Sequence, residues 1–201
     1  MKNRFVSKKN ISSKTHDLPM AKKRFGQNFL IDESVIDAII DSCDIDKSDT
    51  VLEIGPGTGA LTKRLAQKAA KVVAVEIDTS LKDKLAKELS GFDNIELIFD
   101  DILKIDLSGL AADENNGRPF KVVANLPYYI STPVIMKLLR ADVPPLSCTV
   151  MVQKELGERM AAGPGGKDYG DLSVTVRYYA DPAKVIDVPP SSLLRDRKSV
   201  V

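Results

Sequence analysis

Asn125-Leu126-Pro127-Tyr128 is the stretch of this 201-residue chain with the clearest chemical use. It follows the apolar run Phe120-Lys121-Val122-Val123-Ala124, which reads as a buried strand. An Asn at the carboxyl end of a strand can hold a flat base by its exocyclic amine. Its side-chain carbonyl and a nearby backbone carbonyl both accept hydrogen bonds from an –NH2 group. Pro127 removes a competing N–H and stiffens the turn. Tyr128 offers a ring on which a base can stack. Asn and Pro are also ordinary turn residues, so the tetrapeptide alone is equally a strand that ends in a turn.

A second group of residues points to a bound cofactor. Glu53-x-Gly55-x-Gly57-x-Gly59 lies between a short apolar strand and a helix start. Glycines there let the backbone turn tightly and approach a ligand. Glu76 ends the next strand, about twenty residues on, where an acid binds ribose hydroxyls. Asp101 ends the third strand and can accept from an adenine amine. Gly55-x-Gly57-x-x-Ala60 also fits the looser dinucleotide fingerprint. Two features favour S-adenosylmethionine over a dinucleotide. Glu53 sits just before the loop, where it would oppose a pyrophosphate but favour a sulfonium and an ammonium. The chain also lacks a second mononucleotide-binding half. Solvated strand ends are the plain alternative for Glu53, Glu76 and Asp101.

Composition bounds the possibilities. At 43% hydrophobic and 28% charged, the chain can bury one sizeable core. No apolar run is long enough to span a bilayer, and no signal-peptide pattern opens the sequence. A soluble cytoplasmic protein with no membrane partner is expected, and a monomer. Cys43 and Cys148 make neither a disulfide framework nor a metal cluster, and no metal site is expected. His16 is the only histidine and lies in a polar leader, which argues against His-based nucleophilic catalysis. The net charge of +1 hides an asymmetry. Residues 1–27 hold eight Lys/Arg against Asp17 alone, whereas residues 28–194 hold 18 Lys/Arg against 26 Asp/Glu, a net of −8. A basic arm on an acidic body suggests a polyanion partner. Lys22-Lys23-Arg24, beside the folded domain, are the expected phosphate contacts. Residues 1–21 are expected to be a disordered leader.

Strands and helices must alternate to place these groups. Asp32 or Ser34 can cap a helix running to about Cys43. Thr50–Ile54 is a strand, followed by a helix with Leu61, Leu65 and Ala69 inward. Lys71–Val75 is a strand, 80–90 a helix, and Ile95–Phe99 a strand. Gly109–Pro119 is predicted as a polar loop. Strand 120–124, helix 132–140, strand 148–153 and helix 154–161 follow. Ala162–Asp171 is Gly-rich. Two final strands are predicted near 172–179 and 183–188. The fold class is therefore α/β, a mostly parallel sheet covered on both faces, with an antiparallel hairpin at one edge.

Taken together, these motifs resemble the class I, Rossmann-like methyltransferases that modify the adenine amine. Lys23-Arg24-Phe25-Gly26-Gln27-Asn28-Phe29-Leu30 looks like the opening signature of the ribosomal RNA adenine dimethyltransferases. Asn125 to Thr132, Gln153-Lys154-Glu155, Pro164 to Val174 and Val188-Pro189-Pro190-Ser191-Ser192 are similar to the bacterial small-subunit branch. The large-subunit, antibiotic-resistance branch usually carries Ile in place of Leu126 and lacks the Gly-rich loop. The resemblance covers about residues 22–193. It implies that Asn28 and Leu30 cover S-adenosylmethionine, and that Gly55, Glu76, Asp101 and Asn125 line its pocket, with Gly57 in the same loop. It implies that Asn125, Leu126 and Tyr128, stiffened by Pro127, hold a target adenine in small-subunit rRNA or a pre-30S particle. The implied activity is dimethylation of two adjacent adenines.

The chain departs from the resemblance at its end. The family usually places Phe where Leu193 stands, stacked on the base, and continues into a small helical domain. Residues 194–201 do not match, and the triplets that can encode Asp196 to Val201 resemble a sequencing-library adapter read to its stop. A non-native tail at 194–201 and an absent helical domain are the resulting expectations. A catalytically impaired RNA-binding or assembly fragment is the competing reading. A DNA adenine or large-subunit rRNA methyltransferase is a weaker one.

Overall fold

The computed structural model describes residues 28–194. The expected leader, the basic cluster Lys22-Lys23-Arg24 and residues 195–201 lie outside the described residues.

Five strands form one parallel sheet: β2 (Thr50–Ile54), β3 (Lys71–Glu76), β4 (Ile95–Phe99), β5 (Lys121–Asn125) and β6 (Ser147–Met151). Their spatial order is β4-β3-β2-β5-β6. β2 and β3 are nearly uniform apolar runs because both faces are covered. Leu52, Ile54, Val73, Val75, Val122 and Ala124 point to one face and pack with α4 (Leu107–Asn115) and α5 (Ser131–Leu139). Val51, Val72, Ala74 and Val123 point to the other face, against α1 (Glu33–Ser42) and α2 (Ala60–Lys68). α3 (Lys82–Glu88) sets Leu85 against Ile95 and Leu97 of β4. Arg64 pairs with Glu33 and Asp37, and Lys68 with Asp41, along the exposed seam of α1 and α2.

The strand order reverses between β2 and β5. Two connections leave the centre in opposite directions there, and a crevice opens at the carboxyl ends of the strands. Gly55 and Gly57 of the Gly loop, Glu76 and Asp101 after β3 and β4, and Asn125 at the end of β5 all reach that one rim.

Two segments differ from the sequence reading. Residues 107–115 form α4, although Gly, Asp, Glu and Asn suggested a loop. Asp106 caps it, accepting from the N–H groups of Ser108 and Gly109. Leu107, Ala111 and Asn115, four apart, form its buried stripe. Residues 171–179 form α7 rather than a strand. The alternation of Leu172, Val174 and Val176 suggested a strand, but the buried pair is Ser173 and Val176, three apart. Ser173 Oγ donates to the Arg159 carbonyl in α6 (Lys154–Ala161), and Arg177 donates to the carbonyls of Ala161 and Ala162 at that helix's end. These polar links hold α7 against α6. The second expected strand, 183–188, has no regular structure. Antiparallel pairing does occur, outside the main sheet: β1 (Phe29–Leu30) pairs with β7 (Leu193–Leu194). Leu194, placed by the sequence reading in a foreign tail, is thus opposite Phe29.

Candidate cofactor cleft and base-binding turn

The cleft at the switch point is lined by Asn28, Phe29, Gly55, Gly57, Glu76, Ile77, Asp100, Asp101, Asn125, Leu126 and Pro127, with Ile54, Val75, Ile102 and Ile130 behind them. Six of the eight residues expected to bind a cofactor therefore meet in one place. Gly55 and Gly57 have φ of +74° and +57°, which an L side chain adopts only with strain. The loop is also fitted to its neighbours. A Cβ on Gly57 would lie 3.0 Å from the Phe29 ring.

Glu76 organises the loop. It is 4% exposed, and its carboxylate accepts the N–H of Gly57 at 3.0 Å and of Asp78 at 2.9 Å. Burial lifts its pKa above the ordinary range, while those N–H donors pull the other way. Asp101 closes its own turn by accepting the Leu103 N–H at 3.0 Å through one oxygen. Asp100 adds a third carboxylate. Among the described residues, no Lys or Arg lines the cleft. Such a wall suits diols, amines and a cation, and repels a pyrophosphate.

Asn125 ends β5 at the rim. Its Nδ2 donates to the Asn28 backbone carbonyl at 2.7 Å. That bond identifies the nitrogen and leaves Oδ1 as the outward acceptor. Leu126 N–H donates to the Met151 carbonyl at 3.0 Å. No hydrogen bond to the Leu126 carbonyl is made among the described residues. The Pro127 carbonyl is occupied by Ile130 N–H at 3.1 Å and Ser131 Oγ–H at 2.9 Å, which tie the turn to α5. Tyr128 and Tyr129 are exposed beside it. Burial, then the charges of Asp101 and Glu76, raise the Tyr129 pKa, so this phenol stands near the acidic rim.

Two expected cofactor residues do not reach the cleft. Leu30 is buried in the core beside Ile36 and Leu61, and its neighbour Phe29 faces the cleft instead. This follows from strand alternation, which sends adjacent side chains to opposite sides. Glu53 is 1% exposed on the β2 face that meets α2, behind the loop. Its polar neighbour is the equally buried Thr62 hydroxyl, near enough to act on the carboxyl, yet neither group meets the geometry of a hydrogen bond. Burial raises its pKa to about 8, with the nearby Thr62 hydroxyl pulling the other way and the Glu76 charge adding to the rise. The sequence predicts a charge here; the structure buries the carboxyl, which favours its neutral form. Conversely, Phe29, Ile77, Asp100 and Ile102 line the cleft and were missed. Ile77 and Asp100 directly neighbour the strand-end acids, and that adjacency was the available signal.

Leu193 is half-buried and packs on the core cluster around α1 and β2. No group of three or more His, Cys, Asp or Glu poised for a metal occurs among the described residues. Nor is any described helix long and apolar enough to cross a membrane.

Fold and cleft define a class I methyltransferase domain of the S-adenosylmethionine-dependent type. Two solved structures share it beyond bare topology. A dimethyladenosine transferase from Plasmodium falciparum is 34% identical with a TM-score of 0.64, over 74% of this chain and 52% of that one. The 23S rRNA methyltransferase ErmE is 32% identical with a TM-score of 0.58, over 67% and 51%. The sequence model of the ribosomal RNA adenine dimethylases matches residues 19–200. This chain belongs to the ribosomal RNA adenine dimethylase family. It is 55% identical to ribosomal RNA small subunit methyltransferase A of Lachnoclostridium phytofermentans, over 86% of this chain and 60% of the relative. The protein of that name from Clostridioides difficile is 50% identical, over 83% and 58%. The chain thus spans about 60% of the length of the curated relatives it matches.

Proposed function

We propose that this chain transfers methyl groups from S-adenosylmethionine to N6 of two adjacent adenines near the 3′ end of small-subunit rRNA. The observation that carries this reading is the pinned Asn125 amide at the rim of an acidic cleft. S-adenosylmethionine supplies an electrophilic methyl on a positive sulfur. Glu76 accepts the ribose hydroxyls through the lone pairs left by Gly57 and Asp78. Asp101 uses its second oxygen for the adenine amine of the cofactor. Ile77 and Ile102 supply apolar surface for that ring. Phe29 and Asn28 cover it.

Asn125 Oδ1 and the Leu126 carbonyl accept the two N–H bonds of the target amine. Both acceptors enrich the nitrogen and aim its lone pair across the cleft. Positioning of this kind supplies several kcal/mol of rate. Pro127, with no N–H, leaves no donor to compete, and Tyr128 stacks on the base. The amine proton passes to water after transfer, so no side-chain base is required. Lys22, Lys23 and Arg24 contact rRNA phosphates. The partner is a pre-30S particle in the cytoplasm, met by a monomer.

A second reading is binding to rRNA without turnover. Leu193 favours it, because a leucine where the family usually has Phe cannot stack on a base. Radiolabelled methyl transfer to undermethylated small subunits, naked rRNA and DNA tests both. Label on small-subunit adenines is the expected result. Label on DNA or large-subunit rRNA overturns the substrate. Cofactor binding without label supports the binding module.

A further inference from the structure

The segment that pins Asn125 is itself held by a residue 160 positions from Asp32 along the chain. β1 is two residues long, too short to be stable alone. Burial of Phe29 and Leu30 presses it onto the body but does not fix how far it slides along its own axis. Directional bonds do that. Ser192, 1% exposed, donates its Oγ–H to Asp32 Oδ2 at 2.8 Å, across 160 positions of chain. The Ser192 carbonyl accepts the Ile31 N–H at 3.0 Å. Leu193 then stands opposite Leu30. The other Asp32 oxygen caps α1, accepting from Ser34 N–H at 3.1 Å and Ser34 Oγ–H at 2.7 Å. Asp32 is therefore a joint between α1 on one side and Ser192 on the other.

We propose that Ser192, through its clasp on Asp32 and Ile31, is a positioning residue for Asn125. The clasp sets the register of residues 28–31, and the register sets where the Asn28 carbonyl stands. The Asn125 amide is free to turn over about its last torsion, whose preference is broad and roughly two-fold. Turned over, it offers –NH2 to an incoming –NH2, donor against donor. The Asn28 carbonyl prevents this, and it does so only while its strand is held in place. A buried serine just before β7 thus decides which face of Asn125 meets the base. This role rests on the methyl-transfer reading for its kinetic consequence, but not for its structural one.

The test uses the full chain carrying Ser192→Ala or Asp32→Ser. The second keeps an α1 cap, since Ser caps helices well, but is too short to reach Ser192. Solvent exchange of the Asn125 side-chain –NH2 is followed by NMR, affinity for S-adenosylhomocysteine by calorimetry, and methyl transfer at saturating cofactor. Expected are about tenfold faster Asn125 exchange and about tenfold lower kcat at saturating cofactor, as for one lost hydrogen bond, together with a weaker cofactor Kd, because Asn28 and Phe29 line the same cleft. The double variant should be no worse than either single one. Unchanged Asn125 exchange in either folded variant overturns the proposal, as does an unchanged kcat at saturating cofactor. A wild-type chain that transfers no methyl group counts against the methyl-transfer reading alone; Asn125 exchange still decides the clasp.

Discussion

The Asn125 side-chain amide donates to the Asn28 backbone carbonyl at 2.7 Å, joining the end of β5 to the segment just before β1. One hydrogen bond therefore links the wall expected to cover a cofactor to the turn expected to hold a base. It also assigns donor and acceptor on Asn125 without reference to any ligand.

Replacing Asn125 separates the two tasks. Asn125→Ala removes the Oδ1 acceptor, and Asn125→Asp sets a carboxylate against the Asn28 carbonyl. Both should lower methyl transfer by about 100-fold or more, by analogy with loss of one preorganised polar group in an active site. Affinity for S-adenosylhomocysteine should change by less than about tenfold, because Glu76, Asp101 and the Gly loop are untouched. Calorimetry beside single-turnover transfer checks this. Equal losses in both would refute the division of roles.

Much of this arrangement was legible from local chemistry. β2, β3 and β5 are apolar runs that end at Gly55, Glu76 and Asn125, so their order along the chain already placed those groups on one rim. Asp32 announced α1 as a cap. What escaped was set by tertiary partners. α7 read as a strand because its apolar alternation was visible, while the decisive contact, Ser173 to the Arg159 carbonyl, is polar and lies 14 positions away. α4 was hidden because capping by Asp106 and a three-residue buried stripe outweigh a poor composition. Glu53 reads as a charge because its spacing suits one, but burial in β2 favours its neutral form. The Ser192–Asp32 contact could not be seen, since nothing local marks a pair so far apart in sequence.

Glu76→Gln tests the loop. Glutamine keeps one acceptor, so its –NH2 must face the N–H of either Gly57 or Asp78. A charged hydrogen bond is lost and a buried donor is left unpaired. Cofactor affinity should fall about 10- to 100-fold. Far-ultraviolet circular dichroism should be unchanged. Calorimetric titration with S-adenosylhomocysteine measures the effect; an affinity within twofold of the parent, roughly the scatter of such measurements, would show that Glu76 is only a strand end.

Gly57→Ala and Gly55→Ala should differ. Both place alanine in a left-handed conformation, at about 1–2 kcal/mol. Only at Gly57 does the new Cβ also meet the Phe29 ring, at 3.0 Å; at Gly55 the nearest atom is the Asn125 carbonyl at 3.7 Å. Gly57→Ala should therefore lose more thermal stability, by a few degrees, than Gly55→Ala. It should also weaken cofactor binding more, because Phe29 must withdraw from the cleft wall. Paired melts with and without S-adenosylhomocysteine distinguish the two sites.

Glu53 makes the stability of the domain depend on pH in a defined direction. Its folded-state pKa, raised by burial to about 8, lies above its ordinary value of 4.5. Between those values the folded state keeps a proton that the unfolded chain releases. The stabilisation associated with this group is thus complete below about pH 4.5, falls as pH rises, and is gone above about pH 8. The span corresponds to several kcal/mol at about 1.4 kcal/mol per unit. Glu76, whose pKa burial also raises, pushes the same way, so the total slope does not isolate Glu53. The difference between parent and Glu53→Gln does. Glutamine carries no titrating proton, so the variant's urea midpoint should fall less steeply than the parent's between pH 5 and 8. Parallel curves would mean that Glu53 keeps an ordinary pKa, as a full hydrogen bond from the Thr62 hydroxyl behind the Gly loop would allow.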